Sequence, residues 1–329
     1  MKYIGIDIGG ANTKVASSDG EIKELLYIPL WKDTTLPSAL KELSKKLNPD
    51  GLAVVMTGEL ADCFVDKDEG ISFIMNAVNN AFDCKIEYVN NSGHFQDSTQ
   101  NTRDLAAANW AASARMIGKE VGDCIFVDVG STTSDIIPIK NGKHMAGYTD
   151  FSRLLRSELV YAGTLRTNLA ALLKSVELKE GTCRISSELF ATTADAYMLL
   201  GDIDKELFTC ETSDGAGRDR IDCMRRLARV VCADLAEISE EDLLMIAKDV
   251  KETQISLLCD AISTVAEKNG LDTIVSAGLG EFMIEEAAMR LDLDCFSTSD
   301  KWGPEISKVF PAYAAAKLLE EEENEKNTN

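Results

Sequence analysis

Asp7-Ile8-Gly9-Gly10-Ala11-Asn12-Thr13-Lys14 and Asp128-Val129-Gly130-Ser131-Thr132-Thr133-Ser134-Asp135 decide the reading of this chain, because the second stretch repeats the pattern of the first. Each follows an extended apolar run, Lys2–Ile8 and Asp123–Val129, and each leads into another, Thr13–Ser17 and Ser134–Ile139. A hairpin signal comes next in both, Asp19-Gly20 and Asn141-Gly142. A third extended segment follows, at Ile22–Ile28 in the first case and near His144–Gly147 in the second. A strand–loop–strand–turn–strand unit thus occurs twice, and an internal repeat constrains a fold far more than a single motif does.

The first repeat continues through helices expected near Pro37–Leu47, Ile71–Ala81 and Arg103–Ile117, with buried strands at Leu52–Thr57 and Lys85–Val89 between them. After the second repeat helices dominate. Glu240–Ala266 reads as two helical segments, with Ser239 as N-cap and Gly270 as the stop. A last buried strand, Asp272–Ser276, runs into Ser276-Ala277-Gly278-Leu279-Gly280-Glu281, a third glycine turn that opens a helix near Glu281. Two aspartate–glycine loops and such a turn, in this order, are the signature of the actin, hexokinase and heat-shock ATPase superfamily. The expected fold class is therefore α/β, two-domain and ribonuclease H-like, with internal duplication, the two loops facing each other across a cleft. The expected division is a first domain over 1–118 and a second over 119–303. An Ala-rich C-terminal helix at 304–322 would pack back on the first domain, and an acidic tail at 323–329 is expected to be disordered.

Glycine lets backbone N–H groups approach phosphate oxygens, and serine and threonine add hydroxyl donors. Gly9, Gly10, Asn12, Thr13, Gly130, Ser131, Thr132 and Thr133 are accordingly phosphate-binding candidates, with Lys14 as charge partner or as a solvated strand residue. Gly278 and Gly280 join them, because a helix N-terminus favours an anion. An aspartate cannot hold phosphate itself, but it can hold Mg²⁺ that bridges to phosphate, so Asp7 and Asp128 are the metal candidates.

Composition narrows the function. The chain has 329 residues and a net charge of −21, from 55 acidic and 34 basic residues. That balance argues against nucleic acid and anionic membrane, which attract basic faces, and reads as solubility or a salty cytoplasm. No apolar run approaches the roughly 20 residues that span a bilayer. The first residues read as a buried strand rather than a cleavable signal, so a cytoplasmic protein is expected. Nine irregularly spaced cysteines without a Cys-x-x-Cys, and only His94 and His144 as histidines, speak against a disulfide framework or a zinc site. Small-molecule substrates are the expected partners, and a homo-oligomer is left open.

Longer strings go beyond the superfamily. Ile4–Lys14, Thr57-Gly-Glu-Leu-Ala-Asp62, Ala106-Ala-Ala-Asn-Trp110, Asp128–Pro138, Glu158-Leu-Val-Tyr-Ala-Gly-Thr-Leu-Arg-Thr167, Phe190-Ala-Thr-Thr-Ala-Asp195 and Pro311-Ala-Tyr-Ala-Ala-Ala316 occur together. With these strings the chain resembles, over nearly its whole length, the hydantoinase/oxoprolinase-related family once labelled as tetrahydromethanopterin-linked one-carbon pathway proteins. Tyr161-x-Gly163-x-x-Arg166-Thr167 is the most specific part. The resemblance implies a transferase of archaeal methanofuran biosynthesis. In that reaction an aminomethyl-furan-methyl diphosphate is condensed with the phenol oxygen of γ-glutamyltyramine, and diphosphate is released.

The residues permit that chemistry. Loops able to grip ATP phosphates can grip a leaving diphosphate, with Mg²⁺ neutralising charge. A phenol has a pKa near 10, so about one in a thousand is ionised at neutral pH and a base would help. Asp135, Asp195 or Glu59 could serve as that base. The ammonium of the furan substrate also calls for a carboxylate partner, and Arg166 could pair with the diphosphate or the glutamyl carboxylate. Tyr161, Thr167 and Glu59 complete the substrate-binding candidates. Plainer readings stand beside these: Asp195 and Glu59 as helix caps, Arg166 as a domain-interface ion pair, and Tyr161 as packing. Asp214-Gly215 reads as a turn, and Arg218, Arg225 and Arg229 as a helix face.

Other functions fit the same fold. A kinase or ATPase would use the loops for ATP. An iron–sulfur activator would need closely spaced cysteines, which the sequence lacks. A filament-forming actin relative finds no particular support. If the strand-end aspartates anchor a metal, Asp7→Asn and Asp128→Asn should each cut turnover at least about a hundredfold, with thermal stability nearly unchanged. Steady-state rates beside melting curves check this, and full activity in both variants removes them as anchors.

Overall fold

The computed structural model describes residues 1–31, 35–97 and 101–328. Its strands in chain order are β1 (Tyr3–Ile8), β2 (Asn12–Ser17), β3 (Lys23–Tyr27), β4 (Gly51–Met56), β5 (Lys85–Val89), β6 (Phe95–Gln96) and β7 (Cys124–Val129). Then come β8 (Ser134–Lys140), β9 (Lys143–His144), β10 (Leu159–Val160), β11 (Ser175–Leu178), β12 (Gly181–Arg184), β13 (Thr273–Gly278) and β14 (Asp294–Ser297). One six-stranded sheet has the order β3-β2-β1-β4-β5-β6. A second runs β10-β8-β7-β13-β14, with β9 paired to β8, and β11 and β12 form a separate hairpin. The repeat seen in the sequence is thus a repeat of topology. In both sheets a three-strand meander places its first strand, β1 or β7, beside a strand from later in the chain, β4 or β13.

The chain divides into two compact units. One comprises Met1–Phe126, Ile137–Glu158 and Phe296–Asn329, the other Val127–Ile136 and Leu159–Cys295. The division is discontinuous: Ile137–Glu158, read from the sequence as part of the second block, groups with the first unit, and so does the C-terminal helix. The C-terminal segment also differs from expectation: its helix runs without interruption over Phe310–Thr328, through most of the stretch expected to be a disordered tail. The Lys85–Glu323 ion pair ties the start of that stretch to β5, and Arg115–Glu322 just before it ties the helix to Asn109–Glu120, both at 2.9 Å.

In the first unit β1 is buried on both faces. Ile4, Ile6 and Ile8 project into a core with Leu36, Leu40, Ile71 and Ile74 of the helices Thr35–Leu47 and Lys67–Asn79. Each such side chain contributes about 1.5–3 kcal/mol by leaving water. The opposite face carries Gly5, against which the C-terminal helix lies so closely that a Cβ there would sit 1.8 Å from the Ala312 carbonyl oxygen. Ala312, Ala314, Ala315 and Ala316 are all fully buried, so the Ala-rich composition of this helix is what lets it approach the strand. In the second unit Leu169, Val176, Leu227, Leu243, Ile246 and Val250 form a separate core.

Two helices differ from their sequence reading. Arg103–Ile117 is broken into a short 3-10 turn, Thr102–Leu105, and a helix, Asn109–Glu120. Ala107 has a φ of 49°, which interrupts the helical path, and the Ala108 N–H is taken by the Met56 carbonyl oxygen of β4. Glu240–Asn269 is one continuous helix rather than two, capped by Ser239 accepting from the Asp242 N–H and ended by Gly270 in the left-handed conformation. Among the described residues no helix is long and apolar enough to cross a membrane.

The Gly5–Ala312 approach sets a test. Gly5→Ala should destabilise the protein by about 3 kcal/mol or more in chemical denaturation, since the helix backbone must move. Gly10→Ala, whose added methyl meets nothing within 4 Å, should stay within about 0.5 kcal/mol of wild type.

Candidate functional site

The antiparallel register of β1 and β2 sets Asp7 directly opposite Lys14, and the pairing closes as a salt bridge of 3.3 Å from Lys14 Nζ to Asp7 Oδ2. The turn between the strands is locked by a 3.0 Å hydrogen bond from the Gly9 N–H to the Asn12 carbonyl oxygen. The β4 loop packs on this turn: the Thr57 and Gly58 N–H groups both donate to the Ile8 carbonyl oxygen, at 2.9 and 3.1 Å. Asn109, first residue of its helix, donates from Nδ2 to Asp7 Oδ2 at 3.4 Å. Asp7, Lys14, Asn109 and the Thr57–Glu59 loop are therefore built into one place, at the carboxyl ends of the parallel strands β1 and β4. Open parallel sheets bind ligands at such strand ends.

Several buried polar atoms of this first-unit site have no hydrogen-bond partner among the described residues: Asp7 Oδ1, Thr13 Oγ1 and Glu59 Oε2. Asp7, Thr13 and Glu59 are 2%, 0% and 1% exposed. Buried polar groups are normally satisfied, and leaving one unpaired costs about 1–3 kcal/mol, so three around one pair of loops make this a candidate place for a ligand or an ion. Burial pushes the Glu59 carboxyl up from its ordinary value, opposed by nearby main-chain N–H groups and Lys67. The reading of Glu59 as a helix cap does not hold, because Asp66 caps the following helix through the Glu69 N–H. Asp7 offers one buried carboxylate oxygen without a hydrogen-bond partner, and among the described residues no cluster of three or more His, Cys, Asp or Glu side chains is placed to hold a metal.

The second unit repeats the turn, with a 2.9 Å hydrogen bond from the Gly130 N–H to the Thr133 carbonyl oxygen. Here the Tyr161–Thr167 string lies over the loop. The Thr164 N–H donates to the Gly130 carbonyl oxygen, and the Leu165 and Arg166 N–H groups donate to that of Ser131. Gly163 is required by this approach, since a Cβ would fall 2.5 Å from the Thr132 nitrogen. The Arg166 guanidinium reaches Thr132 Oγ1 at 3.4 Å. Thr167 braces the segment, its hydroxyl accepting from the Gly163 N–H at 2.9 Å. Tyr161 is exposed and Asp135 is buried on β8, opposite Leu159 of β10. Asp128 lies at the end of β7, with its Oδ1 where a side chain on residue 278 would sit.

The glycines do not all offer the donors expected of them. The N–H groups of Gly9 and Gly130 close their own turns, and that of Gly280 goes to the Val129 carbonyl oxygen at 3.0 Å. Gly278 and Gly280 are glycine because β13 and the turn after it approach β7 too closely for a side chain. Asp195 is likewise not placed as a base. It accepts from the Thr192 N–H in a capping box and forms a buried ion pair with Arg226, 2.7 Å from Nη2, both residues at most 1% exposed. Arg226 also reaches Asp214, whose turn is held in part by Arg229 at 2.7 Å.

Three residues were not singled out in the sequence. Arg226 and Gln254 each replace an apolar residue on the buried stripe of a helix, with Cys223 and Val230 around the first, Val250 and Leu258 around the second. That spacing was a usable signal. Gln254 donates to the Gly163 carbonyl oxygen at 3.1 Å while accepting from the Tyr197 hydroxyl at 2.6 Å, and Thr193 donates to the same carbonyl at 3.0 Å. The Tyr161–Thr167 segment is thereby fixed from beneath. Asn109 carried no such signal, since its contact with Asp7 joins segments far apart in sequence.

A family model described as hydantoinase/oxoprolinase matches residues 50–322. The chain is 38% identical over 330 residues to the (4-{4-[2-(γ-L-glutamylamino)ethyl]phenoxymethyl}furan-2-yl)methanamine synthase of Methanocaldococcus jannaschii, covering 98% of each chain. It is 36% identical to the protein of the same name from Methanococcus vannielii over 208 residues, 62% of this chain and 94% of that one. Among solved structures, a ROK family glucokinase from Streptomyces griseus, in complex with glucose and AMPPNP, superposes with a TM-score of 0.51 at 12% identity. That match covers 97% of this chain and 99% of the other, and it shows a shared fold of the hexokinase type.

The Asp195–Arg226 pair supplies a prediction. Asp195→Asn leaves a fully buried guanidinium without its carboxylate and should destabilise the protein by about 3–5 kcal/mol. Turnover per folded molecule, from active-site-normalised rates at low temperature, should stay within about threefold of wild type, and a loss beyond about a hundredfold returns Asp195 to the chemistry.

Proposed function

The chain belongs to the hydantoinase/oxoprolinase family, and from that membership we propose that it is a transferase of methanofuran biosynthesis, joining a furan-methyl diphosphate to a phenol. The observation that carries this reading is the 38% identity, across 98% of both chains, to a synthase whose own name describes a phenoxymethyl-furan methanamine. A phenol oxygen joined to a furan CH₂ is an aryl ether, and the loops of this fold suit a diphosphate as leaving group. The proposed reaction condenses an aminomethyl-furan-methyl diphosphate with γ-glutamyltyramine. The phenol loses its proton to a base, its oxygen bonds to the furan CH₂, and the C–O bond to diphosphate breaks with its electron pair on the leaving oxygen.

Roles follow from the two loops, each taken within its own unit. In the second unit the hydroxyls of Ser131, Thr132 and Thr133, together with Arg166, are proposed to hold the diphosphate. Arg166 supports this by standing on Thr132, and a guanidinium is the side chain best shaped for two phosphate oxygens. With Asp195 engaged by Arg226, Asp135 is the carboxylate proposed to accept the phenol proton. Mg²⁺, when bound, would neutralise charge developing on the diphosphate; Asp128 is its proposed ligand in the second unit, and Asp7 is the corresponding candidate in the first, each taken by itself. Tyr161, exposed beside the Gly163 turn, is proposed to contact the organic part of a substrate.

The decisive experiment supplies the furan diphosphate, γ-glutamyltyramine and Mg²⁺ without ATP. Ether and diphosphate should form in equal amounts, and Arg166→Ala should lower kcat/KM by about 10²–10³-fold. ATP-dependent formation of ADP with no ether would instead assign the protein to the kinase or ATPase class.

A further inference from the structure

The first-unit site contains a carboxylate that the diphosphate chemistry above leaves without a task. Glu59 lies between β4 and the Lys67–Asn79 helix, 1% exposed, with Oε1 3.7 Å from Lys67 Nζ and Oε2 without a hydrogen-bond partner among the described residues. Its position is tightly fixed. The Thr57 and Gly58 N–H groups anchor the preceding residues to Ile8, and Gly58 packs on Gly9, where an added Cβ would meet the carbonyl oxygen at 3.0 Å. On the other side the helix crosses at Gly70, where a Cβ would lie 2.0 Å from the Glu59 carbonyl oxygen. Three segments therefore hold one acidic group rigidly beside the turn that carries Asp7. Asp66, not Glu59, caps the helix, and Lys67 reaches one oxygen at a distance beyond a hydrogen bond; the main-chain N–H groups of Glu59 and Ala107 that favour the carboxylate still leave Oε2 unmatched.

We propose that Glu59 is the recognition carboxylate for a primary ammonium group, with Oε2 accepting an N–H of the ligand in place of the missing partner. A cationic ligand is the chemistry that turns a desolvated, half-satisfied carboxylate into a paired one. A divalent metal suits the place less well, because a metal of this kind wants several oxygens and no cluster of three or more His, Cys, Asp or Glu side chains occurs among the described residues. An ammonium needs only one or two acceptors, and Lys67, whose side chain is 32% exposed, can swing into solvent as the ligand enters.

Calorimetric binding of furfurylamine and of furfuryl alcohol to the full-length protein tests the site without requiring turnover. The amine should bind and the alcohol should bind about tenfold more weakly or worse, the scale of one charge-assisted hydrogen bond. Glu59→Gln, which keeps the shape and removes the charge, should abolish that preference. Should that variant fail to fold, Lys67→Met gives a second reading: removal of the competing ammonium should tighten amine binding about threefold or more, with the alcohol unaffected. Equal binding of amine and alcohol by the wild type, or an unchanged preference in Glu59→Gln, overturns the site. Ether formation by a wild type lacking the amine preference leaves the reaction standing and the ammonium site refuted. Glu59-dependent amine binding with no ether formed does the reverse.

Discussion

One short hydrogen bond, made twice, organises both halves of this protein. In each unit the first N–H after the strand-end aspartate dipeptide turns back to a carbonyl three residues on, Gly9 to Asn12 at 3.0 Å and Gly130 to Thr133 at 2.9 Å. The bond closes a tight turn, so the strand on either side is held in register and the aspartate that precedes it stays buried at the sheet end. Everything that gives the loops chemical interest is arranged against that closed turn. In the first unit it is the β4 loop and Asn109. In the second it is the Tyr161–Thr167 segment, which gives three further N–H groups to the carbonyls of Gly130 and Ser131. The same closure removes donors: a glycine whose N–H shapes the turn does not present it to an anion, which shifts the burden of phosphate recognition toward hydroxyls and Arg166.

Buried polar groups are treated in two ways in this protein, and the contrast separates fully matched residues from those with an oxygen to spare. Asp195 and Arg226 are as deeply buried as any ionisable groups in the chain, yet each is matched by the other and by backbone or side-chain partners. Such a pair holds a helix N-terminus and a turn together and has little freedom left for a substrate. Asp7, Thr13 and Glu59 are comparably buried, but each keeps an oxygen unmatched within the described residues. Folding free energy is lost by keeping such atoms dry, and the loss is recovered only when something polar or charged arrives.

Much of the fold was legible beforehand, for specific reasons. The aspartate–glycine repeat, the Asp19-Gly20 and Asn141-Gly142 hairpins and the Ser239 and Gly270 caps are local devices whose residues act on their own neighbours, and all appear where the sequence put them. The break at Ala107 was hidden, because a positive φ at alanine is imposed by the hydrogen bond from Ala108 to Met56, a contact between distant segments. The extent of the C-terminal helix was hidden likewise: Glu322 and Glu323 look like a solvated tail until Arg115 and Lys85 are seen opposite them.

By itself, the sequence determined the paired loops, the residue types that line them and the family to which the chain belongs, since each is written in contiguous residues. Tertiary structure alone decided which of those residues have capacity to spare. Asp195 and Glu59 look alike in the sequence, both acidic residues near the start of a helix. Packing brings Arg226 against one and leaves an oxygen of the other bare. The reason is physical: a carboxylate's availability depends on what is folded against it, and partners 31 residues away, as Arg226 is from Asp195, or 102 away, as Asn109 is from Asp7, are chosen by the cores and not by local sequence.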